Sequence, residues 1–334
     1  MCVKDVRAKE ITSSLGRATR HRSSPGILPR PKLVLMIVPS PYDEMLARIP
    51  TRTRTVSVLG STTTYWDYGD AASPTTILMV HGFRGDHHGL EPVVAQLSQV
   101  RIISPDLPGF GESEPLEGIR HDIDGYGRWL REFVATVAPT GRVVILGHSF
   151  GSIVVAAAVA GGLHADDVVL VNPIAAPALS GPRGILTRLA VFYYWASARL
   201  PERLGFALLR NRLIVRVMSV TMTKTNSRDL RRWIHNQHDR FFSAFSDRRV
   251  VLEAFTASVS TDVSEFAPNI PQRTLLIAAE KDDITPVAAQ HRLQTLFPDA
   301  TLHVIPDVGH LIHYEVPAQA ADELRRFLAD VKPA

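Results

Sequence analysis

Val143-Val144-Ile145-Leu146-Gly147-His148-Ser149-Phe150-Gly151 joins a short apolar run to an alanine- and valine-rich segment that ends at Ala160. The run from Val143 to Leu146 predicts a buried strand, and the segment from Ser149 to Ala160 predicts a helix. A serine flanked by glycines in the pattern G-x-S-x-G, at a sharp turn from strand to helix, is a candidate nucleophile. Side chains at 147 or 151 would collide with neighbouring backbone, so we expect both elbow glycines to be required.

Short β-branched and apolar runs alternate with helical segments along most of the chain. The predicted strands are Thr76–Val80, Arg101–Ser104, Val143–Leu146, Val168–Val171, Thr274–Ala278 and Thr301–Ile305. The predicted helices are His88–Leu97, Ile123–Ala138, Ser149–Ala160, Val287–Leu296 and Pro317–Ala329. Strands that are almost wholly apolar are buried on both faces, which predicts a parallel sheet covered by helices. Before these strands, Val56–Leu59 and Thr63–Asp67 predict an antiparallel hairpin around Gly60-Ser61-Thr62.

The domain organisation follows from where this alternation fails. Residues 173–262 contain no convincing strand and read as amphipathic helices, which predicts a helical cap inserted into an α/β core made of residues 50–172 and 263–334. Residues 1–49 read as a basic tail, disordered or poorly packed, with Met36 and Met45 as alternative starts and a membrane- or partner-binding arm as the other interpretation.

Charge is distributed unevenly. Residues 1–32 carry a net charge of +6 and residues 181–249 carry +10, so the remaining residues carry −12 within the total of +4. No run approaches the roughly 18 to 20 apolar residues that span a bilayer, and the pattern of a secretory signal peptide is missing. We therefore expect a cytoplasmic, globular protein that is able to contact an anionic membrane through its basic cap, and no binding of nucleic acid.

Two downstream loops supply partners for the serine. A serine hydroxyl needs a histidine base that is oriented by a carboxylate. The strand Thr274–Ala278 leads into Glu280, Asp282 and Asp283, and the strand Thr301–Ile305 leads into His310. Because the carboxyl ends of parallel strands meet at one edge of a sheet, we expect these side chains to converge on Ser149.

With these motifs the chain resembles the α/β-hydrolase superfamily, specifically its members with a helical cap. Two further segments carry the resemblance, His81-Gly82-Phe83-Arg84-Gly85 and Asp106-Leu107-Pro108-Gly109-Phe110-Gly111-Glu112-Ser113. The resemblance implies a mostly parallel eight-stranded sheet. It also implies Ser149 as nucleophile, His310 as base and Asp282 as orienting acid, because the family acid precedes a proline by four positions, as Asp282 precedes Pro286. Asp283 remains the rival acid.

The resemblance further implies an oxyanion hole formed by the backbone N–H groups of Phe83 and Phe150. The possible substrate pocket comprises His148, Tyr193, Tyr194, Trp195 and Trp233. We expect structural roles for His81, His148 and Asp106, and His313 is an alternative base. Asp86, His87 and His88 are metal-ligand types, but adjacent residues rarely converge on one ion. We expect no metal and no cofactor.

The resemblance implies an esterase. Relatives that cleave epoxides or carbon–halogen bonds use a carboxylate where this chain has Ser149. The expected function is hydrolysis of a mostly apolar, small or medium carboxylic ester, or of a lipid-like ester, through an acyl-enzyme. Carbon–carbon bond hydrolysis and cofactor-free perhydrolysis are the alternatives on the same triad, and a non-catalytic ligand-binding protein is the alternative from another class.

Overall fold

The computed structural model describes residues 37–176 and 184–330. Eight strands form one sheet, in chain order β1 (Thr51–Val58), β2 (Ser61–Tyr68), β3 (Thr75–Val80), β4 (Arg101–Pro105), β5 (Arg142–His148), β6 (Asp167–Val171), β7 (Arg273–Ala279) and β8 (Ala300–Ile305). Their spatial order is β1-β2-β4-β3-β5-β6-β7-β8. The pairs β1–β2 and β2–β4 are antiparallel, and the other five pairs are parallel. The predicted mostly parallel eight-stranded sheet is confirmed.

Helices cover both faces of the sheet. In chain order the helices are α1 (Asp43–Leu46), α2 (Glu91–Val94), α3 (Ile123–Val137), α4 (Phe150–Ala160), α5 (Gly184–Arg199), α6 (Glu202–Leu209), α7 (Arg212–Met222), α8 (Arg228–Phe241), α9 (Arg248–Ser260), α10 (Val287–Gln294), α11 (Ile312–Glu315) and α12 (Pro317–Ala329). Short 3₁₀ turns occupy His87–Gly89, Val263–Glu265 and Ala267–Asn269.

The core consists of two apolar layers that the sheet separates. Along β5, Val143 and Ile145 point into the layer formed with α3 and α4. Val144 and Leu146 point into the opposite layer, formed with α2 and α12. Because successive side chains of a strand face opposite sides, a continuously apolar strand requires both layers, as the sequence indicated.

Two predicted elements differ from the structure. The hairpin turn consists of Leu59 and Gly60, with φ of 49° and 79°, rather than Gly60-Ser61-Thr62. Two-residue hairpin turns that match strand twist require such positive φ values. The predicted helix His88–Leu97 divides into the 3₁₀ turn His87–Gly89 and the short helix α2. Here Asp86 caps the 3₁₀ turn by accepting a hydrogen bond from the His88 N–H at 3.0 Å.

Residues 37–49, placed by the sequence in a poorly packed tail, pack against the body. Ile49 is buried, and the Tyr42 ring meets the Trp233 ring edge-on at 5.5 Å. The tail prediction is therefore wrong for residues 37–49, because apolar side chains there find partners distant in sequence. Residues 1–36, 177–183 and 331–334 lie outside the described residues, and the second of these segments falls within the predicted cap. Helices α5–α9 all lie between β6 and β7, and we call residues 184–260 the insertion.

Candidate active site

Ser149 occupies the turn between β5 and α4. Its φ of 53° and ψ of −119° lie outside the ordinary regions for a residue with a side chain, as expected for a strained elbow. A Cβ added to Gly147 would lie 2.4 Å from the Gly151 carbonyl oxygen, and one added to Gly151 would lie 2.4 Å from that of Val80. The two glycines therefore allow the backbone to approach closely enough to hold the serine in this position.

The structure brings Ser149, His310 and Asp282 into one hydrogen-bonded series. The distance from Ser149 Oγ to His310 Nε2 is 2.8 Å, and that from His310 Nδ1 to Asp282 Oδ2 is 2.7 Å. The three residues follow the carboxyl ends of β5, β8 and β7, respectively. With Nδ1–H donating to the carboxylate, Nε2 is the acceptor for the serine hydroxyl. This tautomer allows His310 to act as a general base toward Ser149.

The environment of Asp282 favours its ionised form. Burial alone would raise the pKa of this carboxyl group, but its interactions with His310, Thr285 and the Ile284 N–H outweigh burial and lower the pKa below its ordinary value. Oδ1 accepts hydrogen bonds from the backbone N–H groups of Ile284 at 2.7 Å and Thr285 at 3.1 Å. Oδ2 accepts from the Thr285 hydroxyl at 2.6 Å, in addition to His310.

The two rival residues have other partners. Asp283 forms an ion pair with Lys224 at 2.6 Å and is 43% exposed. The His313 ring packs against those of His148 and Tyr314, with both centroid distances at 4.2 Å. The geometry thus favours Asp282 and His310 as acid and base.

Asn172 is a residue of the site that the sequence interpretation missed. It follows β6 with a φ of 45°, a conformation that asparagine tolerates better than most residues. Its side chain donates to the His310 carbonyl oxygen at 2.8 Å and accepts from the Ala279 N–H at 3.0 Å. Asn172 therefore links the ends of β6 and β7 to the backbone of His310. The only sequence signal was an asparagine directly after a buried strand.

The loop after β3 runs beside the serine. A Cβ added to Gly82 would lie 3.3 Å from Ser149 Cβ and 3.2 Å from His148 Nδ1. The next residue is Phe83, whose N–H is one predicted oxyanion donor. The other predicted donor, Phe150, is the first residue of α4, where backbone N–H groups have no partner within the helix.

A cavity of about 530 Å³ opens above Ser149 and His310. Of the predicted pocket residues, His148, Tyr193 and Tyr194 line it. Trp195 and Trp233 do not, and their prediction as pocket residues is wrong. Trp195 is 44% exposed and stacks on Phe192, whereas Trp233 is buried in a separate cluster. The remaining lining is mostly apolar, and part of it comes from the insertion, including Leu189, Ile214, Met218, Met222, Phe255 and Val259.

Comparison with known proteins identifies the protein family that has this fold and site. Residues 77–323 match the sequence profile of the alpha/beta hydrolase family. The chain belongs to that family. Lipase 1 of Psychrobacter immobilis is 23% identical over 283 residues, which cover 80% of this chain and 81% of the lipase. The predicted superfamily and the predicted class of enzyme, a hydrolase, are confirmed.

Solved structures with the same fold include other members of the superfamily. An esterase from Exiguobacterium antarcticum has a TM-score of 0.69 and 16% identity, covering 84% of this chain and 100% of that one. A bromoperoxidase from Bacillus anthracis has a TM-score of 0.68 and 18% identity, covering 84% and 100%, respectively.

Neutral histidines form one wall of the hydrolase cavity. Burial, followed by the proximity of His310, lowers the pKa of His148 to about 3. Burial, followed by the proximity of His235, lowers the pKa of His238 to about 3, and burial also holds the pKa of His313 well below its ordinary value. These side chains therefore offer uncharged imidazoles to a substrate at neutral pH. His81 has the expected loop contact, accepting from the Leu107 N–H at 2.8 Å.

Asp86, His87 and His88 bring possible metal-ligand atoms within 4.8 Å of one another. Each of these side chains already has a partner in the hydrolase loops. Nδ1 of His87 lies 3.0 Å from Asp106 Oδ1, and Nδ1 of His88 lies 3.2 Å from Asp86 Oδ1. These contacts explain why the three side chains lie close together, because each one stabilises the loop. That the protein binds no metal remains a prediction.

Proposed function

We propose that this hydrolase cleaves a carboxylic ester with an apolar acyl group through an acyl-enzyme on Ser149. The observation that carries the proposal is the hydrogen-bonded series Ser149–His310–Asp282 at the base of a largely apolar cavity. In the first step His310 Nε2 takes the hydroxyl proton while Ser149 Oγ bonds to the carbonyl carbon. The carbonyl electron pair moves onto oxygen, where the N–H groups of Phe83 and Phe150 stabilise it.

The second half of the reaction releases both products. The oxyanion re-forms the carbonyl and expels the alkoxide, which takes the proton from His310. A water molecule then gives a proton to His310 Nε2 while its oxygen bonds to the acyl carbon. The resulting oxyanion re-forms the carbonyl and breaks the bond to Ser149 Oγ, which takes the proton back from His310 as the acid leaves. Throughout the cycle Asp282 holds the proton on Nδ1 and stabilises the positive charge that appears on the imidazole.

The cavity supports an apolar substrate of small or medium size. Its volume of about 530 Å³ lies within the range of about 300–1,000 Å³ typical of small-molecule sites. The name of the similar Lipase 1 and that of the structurally similar esterase agree with an ester or lipid-like substrate.

The test is a panel of chromogenic esters of graded acyl length, assayed with wild type and Ser149→Ala, together with labelling by a serine-directed phosphonate. We expect turnover and labelling in wild type and neither in Ser149→Ala. Labelling without ester turnover would favour carbon–carbon bond hydrolysis or perhydrolysis. Folded wild type that is neither labelled nor active would favour the non-catalytic alternative.

We also propose that the insertion contacts an anionic membrane surface. Eight of the eleven large apolar side chains exposed in the described part of the chain belong to α5–α7 and their connections, namely Leu189, Phe192, Trp195, Leu200, Leu204, Leu213, Val217 and Val220. Exposed arginines, among them Arg188, Arg203 and Arg212, lie between them. Apolar side chains interleaved with arginine are typical of surfaces that bind the membrane interface. Leu189 belongs both to this surface and to the cavity lining, so the surface and the cavity adjoin at this residue.

Vesicle sedimentation tests this contact. Binding should rise with the fraction of anionic lipid and fall with salt. Phe192→Ser combined with Leu213→Ser should weaken binding by about tenfold or more, because each loses apolar burial, while turnover of a water-soluble ester stays unchanged. Leu296→Ser is the matched control, since Leu296 is 41% exposed outside the insertion. Binding that is independent of lipid charge and of salt concentration would contradict the proposal.

Among the described residues, no helix combines the length and the apolar character needed to span a bilayer.

A further inference from the structure

Arg84 adopts an unusual backbone conformation two residues after Gly82. The four residues from Gly82 to Gly85 form a tight turn, in which the Gly85 N–H donates to the Gly82 carbonyl at 3.0 Å. At the third position of this turn, Arg84 has a φ of 59°, a conformation usually taken by glycine or asparagine. Such strain persists only where the surroundings hold the residue in place.

The Arg84 side chain is held by the insertion. It is only 1% exposed. Nε donates to the Phe242 carbonyl at 2.9 Å, and Nη2 donates to the Leu209 carbonyl, also at 2.9 Å. Longer contacts reach the Tyr194 hydroxyl at 3.4 Å and the Ser243 hydroxyl at 3.5 Å. The guanidinium carbon also lies 4.7 Å from the centre of the Phe242 ring, a cation–π distance.

Two helix ends explain how a cation is buried here. Leu209 is the last residue of α6, and Phe242 caps the end of α8. The last carbonyls of a helix lack partners within the helix and carry its negative partial charge. The guanidinium therefore satisfies orphan carbonyls of two helices at once, and among the described residues these groups take the place of a carboxylate.

Phe83 lies between the Arg84 side chain, which is held by the ends of α6 and α8, and the reacting serine. Its ring packs edge-on against Phe150 of the core at 6.3 Å and against Tyr194 of the insertion at 5.6 Å. Phe83 and Gly82 line the cavity, whereas Arg84 does not. Arg84 therefore acts on the reaction only through the residues that it contacts, which are the turn with Phe83 and the lining residues Tyr194 and Phe242.

We propose that Arg84 is a positioning residue for the oxyanion hole. By tying the turn to the ends of α6 and α8, it holds the Phe83 N–H at the correct place relative to Ser149. The oxyanion hole is then complete only while the insertion occupies its observed position, so the insertion regulates turnover as well as lining the cavity. The inference rests on the proposed function, since it assumes that an oxyanion forms at Ser149.

Two substitutions at Arg84 test the contacts of its guanidinium separately from the backbone conformation of the turn. Arg84→Gly keeps a residue that favours positive φ but removes the guanidinium. Arg84→Lys keeps the charge and the aliphatic stem but loses the planar fork that reaches two carbonyls at once. Arg248→Lys is the matched control, because Arg248 also donates to helix-end carbonyls, those of Ser197 and Leu200, without touching the turn.

The readouts are kcat and KM for a water-soluble ester, and the affinity of a trifluoromethyl ketone whose adduct with Ser149 carries an oxyanion. A displacement of about 1 Å at a reacting group lowers rates about 10²-fold. We expect both Arg84 variants to lose about this factor in kcat and in affinity for the ketone, with KM changed by less than about threefold, because the loss concerns the transition state alone. Arg248→Lys should leave all three unchanged.

The outcomes are distinguishable. If folded Arg84→Lys keeps the kcat and ketone affinity of wild type, or if Arg248→Lys loses as much, the inference is wrong while the proposed function stands. If Arg84→Gly does not fold, Arg84→Lys decides alone, since it retains the stem and the charge. If wild type itself neither reacts with the phosphonate nor hydrolyses any ester, the proposed function fails instead.

Discussion

Replacing Asp282 by asparagine tests the assignment of the acid through the tautomer of His310. Two backbone N–H groups, those of Ile284 and Thr285, donate to Oδ1. In Asp282→Asn the amide oxygen must take this side, because an NH₂ group cannot accept from N–H donors. The NH₂ group then takes the place of Oδ2, which lies 2.7 Å from His310 Nδ1.

The consequence for His310 is a proton on the wrong nitrogen. An NH₂ group facing Nδ1 requires Nδ1 to accept, which leaves the proton on Nε2 and removes the acceptor for the Ser149 hydroxyl. In serine triads this loss lowers kcat by about 10⁴-fold while the geometry stays intact. We expect a decrease of that order, with little change in KM, measured by steady-state hydrolysis of a soluble chromogenic ester.

Asp283→Asn is the matched control, since it makes the same change one residue away. Asp283 is partly exposed and pairs with Lys224, and such ion pairs contribute about 0–1 kcal/mol to stability. We expect kcat within about threefold of wild type. If instead Asp283→Asn lost most of its activity and Asp282→Asn kept it, the reasoning from the hydrogen bonds of Asp282 would be refuted.

Three further predictions concern the cavity, the elbow and acid stability. Each CH₂ added to the acyl chain should raise kcat/KM by about fourfold, the equivalent of about 0.8 kcal/mol per buried CH₂, until the cavity is full; a flat ester series would contradict an acyl site there. Gly151→Ala should destabilise the fold by about 1–3 kcal/mol in denaturant titrations, because its Cβ would lie 2.4 Å from the Val80 carbonyl oxygen. The control Gly127→Ala, with its nearest neighbour at 3.5 Å inside α3, should be neutral or stabilising. His148 and His238 are buried and have pKa values of about 3 in the folded protein, against 6.5 in the unfolded chain. At pH values between these two, the unfolded chain therefore binds more protons than the folded protein. Stability should therefore fall as pH decreases below about 6.5, and His238→Gln should flatten the measured slope by up to about 1.4 kcal/mol per pH unit.

The sheet and the series Ser149–His310–Asp282 could be predicted because both depend on local patterns. A wholly apolar strand implies two covered faces whatever its neighbours are, and G-x-S-x-G after such a strand fixes the turn. The choice between Asp282 and Asp283 needed more than a local pattern, because adjacent side chains in a loop point in different directions and only one of them contacts His310.

Trp195, Trp233 and Arg84 could not be predicted because their roles depend on distant partners. Aromatic side chains in an amphipathic helix indicate that one face is buried, but not which cavity that face meets. Trp195 instead lies on the exposed side of α5, and Trp233 packs with Tyr314. Arg84 binds Leu209 and Phe242, which lie 125 and 158 positions away along the chain. No local sequence pattern therefore indicates that its side chain binds two helix ends.

The net charge of +10 over residues 181–249 overstates the charge that the insertion offers to a membrane. Arg210 donates to the Phe245 carbonyl, and Arg248 donates to those of Ser197 and Leu200, while both guanidinium groups lie over the Phe206 ring. Arg216 pairs with Asp239. These arginines stabilise helix ends and aromatic packing within the insertion. Removing Arg210 or Arg216 would therefore disturb the packing of the insertion together with its surface, whereas Phe192 and Leu213, which do not line the cavity, allow membrane contact to be tested separately from catalysis.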